Sequence, residues 1–259
     1  MTQEDRERLR ATFDQAAELY DRARPGYPPA LFDDLAGLAG MGPGSRVLEI
    51  GPGTGQATVP LAERGCRVVA VELGADLARF PAVEVVAAAF EDWPLPSEPF
   101  DLVLAATSFH WLDPAARVVK AADALRPGGT LATVAPHHVA GGDESFFAEA
   151  QACYIRWDPA TPPDGAPLRA AADIPSSSDE LDRSHRFGPV TFRRYEWELP
   201  YTTASYLEVL LTYSGHRALD PAAKAGLLDC IANLIDSGYG GRITKCYLTE
   251  LRVASTPER

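Results

Sequence analysis

The sequence has no run of apolar residues long enough to span a bilayer, so no membrane association is expected from it. It has no basic run either; Arg193-Arg194 is only a pair. Acidic side chains outnumber basic ones by 36 to 24, giving the 259 residues a formal net charge of −12 and a pI near 4.9. Such a surface repels phosphate backbones, and a nucleic-acid substrate is not expected. Cysteine is scarce. Cys66, Cys153, Cys230 and Cys246 lie far apart, with no close pair to suggest a metal site or a redox motif. They read as buried or half-buried thiols in a reducing compartment. Met1 to Arg10 is polar and charged and lacks the apolar core of a secretion signal, so the expected location is cytoplasmic.

What is present centres on Val47-Leu48-Glu49-Ile50-Gly51-Pro52-Gly53-Thr54-Gly55. An apolar, branched run reads as a buried strand and breaks into glycines at alternate positions. Thr54 or Gly55 then opens a helical pattern reaching about Arg64. Strand, glycine turn and helix form the front of a nucleotide-binding α/β unit. The glycines adopt backbone angles closed to other residues and let the main chain approach a ligand. A dinucleotide fingerprint needs glycine at position 56, where this chain has Gln56. That residue speaks against a nicotinamide-dependent oxidoreductase.

Strand and helix patterns alternate through residue 135. Arg67 to Glu72 reads as a second strand, Val83 to Ala87 as a third and Phe100 to Ala106 as a fourth. Asp113-Pro114 marks a helix start, and Arg126-Pro127-Gly128-Gly129 stops that helix before a fifth strand at 130–135. This alternation predicts a parallel sheet with helices on both faces, whose ligand lies beyond the carboxyl ends of the strands. Glu72 ends the second strand 21 residues after Gly51, where a carboxylate accepts ribose hydroxyls.

Beyond 135 the pattern loosens. A helix is expected around Glu144 to Arg156, then a stretch rich in Pro, Ala, Ser and Asp over 158–179 that has no apolar period and reads as a mobile loop or lid. Val190 to Leu199 reads as a strand with Tyr195, Trp197 and Leu199 on one face. Next come a helix carrying Tyr206, Val209, Leu210 and Tyr213, another capped by Asp220-Pro221, and a last strand at 243–253. An amphipathic helix over 4–20 and a second over 28–40 precede the first strand.

The pattern E-x-G-x-G-x-G at Glu49 to Gly55, F-x-x-x-A-x-x-Y-x-x-x-R-P-x-Y-P from Phe13 to Pro28, and L-R-P-G-G-x-L from Leu125 resemble those of class I S-adenosylmethionine (SAM)-dependent methyltransferases. The chain is similar to the small-molecule enzymes of the ubiquinone-biosynthesis and trans-aconitate type. The resemblance implies a Rossmann-like α/β fold: a seven-stranded, mostly parallel sheet with helices on both faces, an antiparallel last strand, and a helical and loop cover over the active site. It implies one domain over 1–259, divided into an N-terminal cover (1–40), a SAM-binding core (41–135), a variable substrate region (136–215) and a closing helix and strand (216–259).

The resemblance assigns Glu49, Gly51, Gly53, Gly55, Glu72, Leu73 and Thr107 to the cofactor. It places Tyr20 and Arg24 near its methionine end, and Phe90 with Glu91 or Asp92 around its adenine. Methyl transfer needs alignment first. For an acceptor that must lose a proton, a histidine base is suitable. His110, leaving the fourth strand, and His137 and His138, leaving the fifth, are the candidates. Trp111, Tyr213, His216 and Arg217 are candidates for binding a small-molecule acceptor. No metal is expected, and the protein is expected to be a monomer or homodimer. Two rivals stand beside this reading: a SAM-binding protein of the same fold that cyclises or regulates without methylating, and a nucleic-acid methyltransferase, which the charge disfavours.

Overall fold

The computed structural model describes residues 17–74 and 83–258. Seven strands form one sheet: β1 (Arg46–Ile50), β2 (Arg67–Glu72), β3 (Glu84–Ala87), β4 (Phe100–Ala106), β5 (Leu125–Gly142), β6 (Thr191–Thr202) and β7 (Arg242–Ser255). Their spatial order is β3-β2-β1-β4-β5-β7-β6. The first five pair in parallel, and β7 runs antiparallel to both β5 and β6. The expected fold class is the one observed.

The described helices are α1 (Ala17–Ala23), α2 (Pro29–Ala39), α3 (Thr58–Glu63), α4 (Arg117–Ala124), α5 (Glu144–Trp157), α6 (Asp179–Ser184), α7 (Thr203–Leu211), α8 (Ser214–Arg217) and α9 (Pro221–Gly238). Alternate residues of the central strands feed two opposite cores. Leu48, Ile50, Val103 and Ala105 pack with Val118 and Ala121 of α4. Val47, Leu102 and Leu104 pack with Leu31, Phe32 and Leu35 of α2 and Leu61 of α3. Burial on both faces explains why β1 and β4 read as almost continuous apolar runs. A third core joins α5, α7 and α9 to Ile243 and Tyr247 of β7, forming a helical cap beside the strand tips. No helix among the described residues is long and apolar enough to cross a membrane.

Several expectations need correction. Gly51, Gly53 and Gly55 all hold positive φ (67°, 57° and 96°), so the loop stays non-helical and α3 begins only at Thr58. The helix expected from Asp113-Pro114 starts at Arg117, after a 3-10 turn at Phe109–Trp111. Asp113 Oδ1 instead holds the N–H of Ala115 at 3.0 Å. Tyr213 lies past the end of α7. The stretch 158–179 is anchored without apolar periodicity: Ala166 N–H donates to Gln151, Ala140 N–H to the Arg169 carbonyl, and Arg194 to the Ala171 carbonyl. Of the helix expected over 4–20, residues 4–16, including Phe13, lie outside the described residues.

The cysteine expectation is overturned for one pair. Cys153 on α5 and Cys230 on α9 form a disulfide across 77 residues, whereas Cys66 and Cys246 are free thiols. Packing of α5 on α9 brings the two Cα atoms to 5.8 Å, within bridging reach, which no sequence spacing reveals.

The Asp220 cap is as expected. Its Oδ1 accepts the N–H groups of Ala222 (2.9 Å) and Ala223 (3.4 Å) at the start of α9. Asp220→Ala is expected to destabilise the protein by about 1 kcal/mol, read as a lower urea midpoint with unchanged slope.

Candidate active site

Strand order reverses between β1 and β4, so the loops leaving their carboxyl ends diverge and open a crevice there. A cavity of about 120 Å³ lies in it. Tyr20, Glu49, Gly51, Gly53, Glu72, Leu73, Phe90, Thr107 and Trp111 of the expected set line it. Tyr27, Ser108 and Gly74 line it as well.

The glycine loop is stitched to the tip of β2. Glu72 accepts the N–H of Gly53 on one carboxylate oxygen and that of Gly74 on the other, each at 3.1 Å. A Cβ on Gly51 would stand 2.7 Å from Ser108 Cβ, whereas one on Gly53 would meet nothing within 4 Å. Gly51 is therefore required by packing as well as by its angle, and Gly53 faces open cavity. Gly55 does not line the cavity; it is buried beneath the loop and donates to the Pro52 carbonyl.

Thr107, at the tip of β4, holds φ 60° without being glycine. Such strain persists where surrounding contacts fix it, and it concentrates at functional sites. Here the Tyr27 hydroxyl lies 2.7 Å from Thr107 Oγ1. Glu49 is 1% exposed, and its Oε2 has no hydrogen-bond partner. Desolvation raises its pKa to about 7. A buried carboxyl without a partner on a cavity wall suits a cationic ligand group.

The adenine expectation divides. Phe90 lines the crevice, 2% exposed, and Leu73, 48% exposed, stands at its mouth. Neither Glu91 nor Asp92 does. Glu91 accepts the Asp113 N–H at 2.9 Å, which turns it toward the following turn.

A second cavity, of about 380 Å³, adjoins the first and shares Tyr20, Tyr27, Gln56 and Thr107 with it. All three candidate histidines, His110, His137 and His138, line it, with Arg24, Tyr213, Trp197 and Tyr247. Arg24 thus belongs to this second wall. Its guanidinium lies between the Tyr20 and Tyr213 rings, 5.2 and 4.7 Å from their centroids, and donates to Thr212 at 3.2 Å.

The three histidines differ electrostatically. His138 opens on the cavity, yet its pKa is pushed well down by desolvation in the cleft, then by Lys245 and Arg24. His110 is lowered by desolvation, then by Arg117 and Arg24. His137 is also lowered by desolvation, but the Glu250 carboxylate works against the shift. His216 lies apart, in a third cavity, with Nε2 3.1 Å from the Tyr154 hydroxyl. Arg217 lines none of the three cavities.

Sequence reasoning missed Tyr27, Ser108, Trp197, Tyr247 and Lys245. Tyr27 stood within the Phe13–Pro28 string. Lys245 carried a signal in its register, between inward-facing Ile243 and Tyr247.

Comparison with known proteins agrees with this architecture. Residues 48–133 match a family model described as a methyltransferase domain. An uncharacterised methyltransferase of Mycobacterium tuberculosis is 40% identical over 128 residues, 48% of this chain and 51% of that protein. The match spans about half the length of that curated relative and of its Mycobacterium bovis counterpart. Among solved structures, a proposed type II methyltransferase from Anaeromyxobacter dehalogenans superposes with a TM-score of 0.60 at 25% identity, over 91% of this chain and 99% of that one. A Haemonchus contortus phosphoethanolamine N-methyltransferase, solved with S-adenosylhomocysteine and phosphomonomethylethanolamine, shares the fold. Its TM-score is 0.52 at 17% identity, over 95% of this chain and 58% of that one.

The raised Glu49 pKa carries a signed consequence. The folded state favours the protonated carboxyl, so this stabilisation is complete below the unfolded pKa near 4.5 and is lost as pH rises through about 7. Glu49→Gln is therefore expected to raise the melting temperature at pH 8 and to change it little at pH 4. The scale is roughly 2–4 °C per kcal/mol. Equal shifts at both pH values would contradict a buried carboxyl without a counter-charge.

Proposed function

We propose that this chain, whose sequence over 48–133 and whose fold resemble the class I SAM-dependent methyltransferases, moves a methyl group from SAM to an O, N or C atom of a small molecule. The observation that carries this reading is the juxtaposition of two cavities. One is bounded by a glycine loop and a strand-tip carboxylate, the other by three histidines, and Thr107 stands in both walls.

The residues present fit SAM. Main chain at Gly51 and Gly53 admits close approach, Glu72 stands at the ribose position, and Phe90 and Leu73 offer apolar faces to a purine. The orphaned Glu49 Oε2 suits an ammonium. When bound, SAM supplies a methyl carbon already activated by a positive sulfur, which leaves as a neutral thioether once a nucleophile's lone pair takes the methyl. The chain's part is alignment, and positioning of this kind supplies much of a rate enhancement. Tyr27 and Thr107 stand in the walls of both cavities, and Arg24 lines the acceptor cavity.

Where the acceptor must lose a proton, His110, His137 and His138 are the candidate bases; burial lowers all three, and at His137 the Glu250 carboxylate opposes that shift. Around His138 two cations disfavour the protonated ring. An acidic surface and the absence of a basic run support a small acceptor.

Calorimetry with S-adenosylhomocysteine tests the cofactor half. Binding is expected, and Glu72→Ala should weaken it by about 1.5–3 kcal/mol, as for a hydrogen bond to a charged group. No binding, or equal affinity in the variant, would sink the assignment. Formation of S-adenosylhomocysteine from SAM across an acceptor panel separates transfer from the rival reading. Tight binding with no turnover on any acceptor points to a cyclising or regulatory protein of the same fold.

A further inference from the structure

β7 turns Ile243, Lys245 and Tyr247 toward the helical cap. Lys245 is 4% exposed in this otherwise apolar stripe. Among the described residues its ammonium has no hydrogen bond or ion pair. Its company is aromatic: Nζ lies 4.4 Å from the Phe147 ring centroid and 5.6 Å from that of Tyr247. Removing an ammonium from water without a counter-charge is costly, and burial brings its pKa down to about 8. Rings offset part of that cost, but a carboxylate would offset more.

The space for one is there. Lys245 lines the third cavity, of about 380 Å³, whose walls are mainly apolar and include Phe147, Leu168, Tyr206, Leu210 and Ile231. His138 and Tyr213 line both this cavity and the one assigned to the acceptor. A second polar group on the wall lacks a partner: His216 Nδ1 is buried and unbonded, while Nε2 meets the Tyr154 hydroxyl. With Tyr154 donating to Nε2, the neutral ring carries its proton on Nδ1 and is a donor there.

We propose that this inner cavity receives the far end of the methyl acceptor, and that this end is a carboxylate on an apolar chain or ring, with Lys245 as its counter-ion. The inference rests on the reading of the second cavity as the acceptor site. The single cation selects the charge: a monoanion is neutralised by Lys245, whereas a phosphate dianion would leave one charge in an apolar chamber. It also selects the body of the ligand, since the remaining wall offers mostly carbon.

The test is calorimetry on the whole chain saturated with S-adenosylhomocysteine. The probes are octanoate, hydrocinnamate and indoleacetate, each beside its primary amide, with octyl phosphate as a further arm. At least one carboxylate is expected to bind tenfold or more tightly than its amide. Lys245→Met should abolish that preference while leaving S-adenosylhomocysteine affinity unchanged. The proposal is overturned if no carboxylate outbinds its amide in the unaltered protein, if the preference survives in Lys245→Met, or if octyl phosphate outbinds octanoate. S-adenosylhomocysteine binding without carboxylate preference defeats this inference alone. Carboxylate preference in a protein that does not bind S-adenosylhomocysteine defeats the methyltransferase reading and leaves the anion site standing.

Discussion

Parallel pairing of β1 with both β2 and β4 is the constraint from which the rest of the molecule follows. Each neighbour must be reached by a crossover, and the chain leaves β1 toward one side of the sheet and β4 toward the other. The strand tips are therefore left with a gap that no backbone can fill. Everything of chemical interest gathers there. The β1 loop is held open by glycines with positive φ and tied to β2 by the bond from Gly53 to Glu72. The β4 exit is bent by a strained Thr107 that the Tyr27 hydroxyl contacts. The antiparallel β7 extends the sheet and supplies the floor on which the helical cap rests.

Charge in two of the three cavities runs opposite to that of the chain as a whole. The whole chain is strongly acidic. Yet the second and third cavities gather Arg24, Lys245 and four histidines, and among the described residues neither Arg24 nor Lys245 forms an ion pair. The first cavity has the reverse character, with Glu49 and Glu72 in its wall. One end of the cleft thus suits a cation and the other an anion. Field lines in a low-dielectric cleft are concentrated by its walls, so this polarity orients what enters.

The sheet was legible because buried parallel strands leave a direct trace: Val47 to Ile50, Glu49 apart, and Leu102 to Ala106 are apolar and pack on both faces. The glycine loop and Glu72 were legible because their chemistry depends on spacing along the chain. What escaped depends on distant contact. Glu91 was expected at a purine and is turned to the Asp113 N–H by the packing of the following turn. The bridge between Cys153 and Cys230 follows from the docking of two helices and from nothing near either residue. Lys245 was passed over in the sequence; it lies in β7 opposite Gly142 and Leu199 and is buried there. His110 follows β4 as expected, whereas His137 and His138, expected past the end of a strand at 130–135, lie inside the longer β5 and pair with Leu248 and Tyr247; what separates the three is charge remote in sequence, Glu250 at His137 and Lys245 at His138.

The segment from α1 to Tyr27 lends Tyr20 and Tyr27 to the walls of the first two cavities and Arg24 to the second, and three side-chain bonds are among the contacts that hold it. Arg22 pairs with Glu208 in the open, Arg24 donates to Thr212, and Tyr27 meets Thr107. Exposed pairs of the first kind contribute little in water and less in salt. Of these fastenings only the first is an ion pair, so added salt loosens one and leaves the two hydrogen bonds inside the cleft as they are.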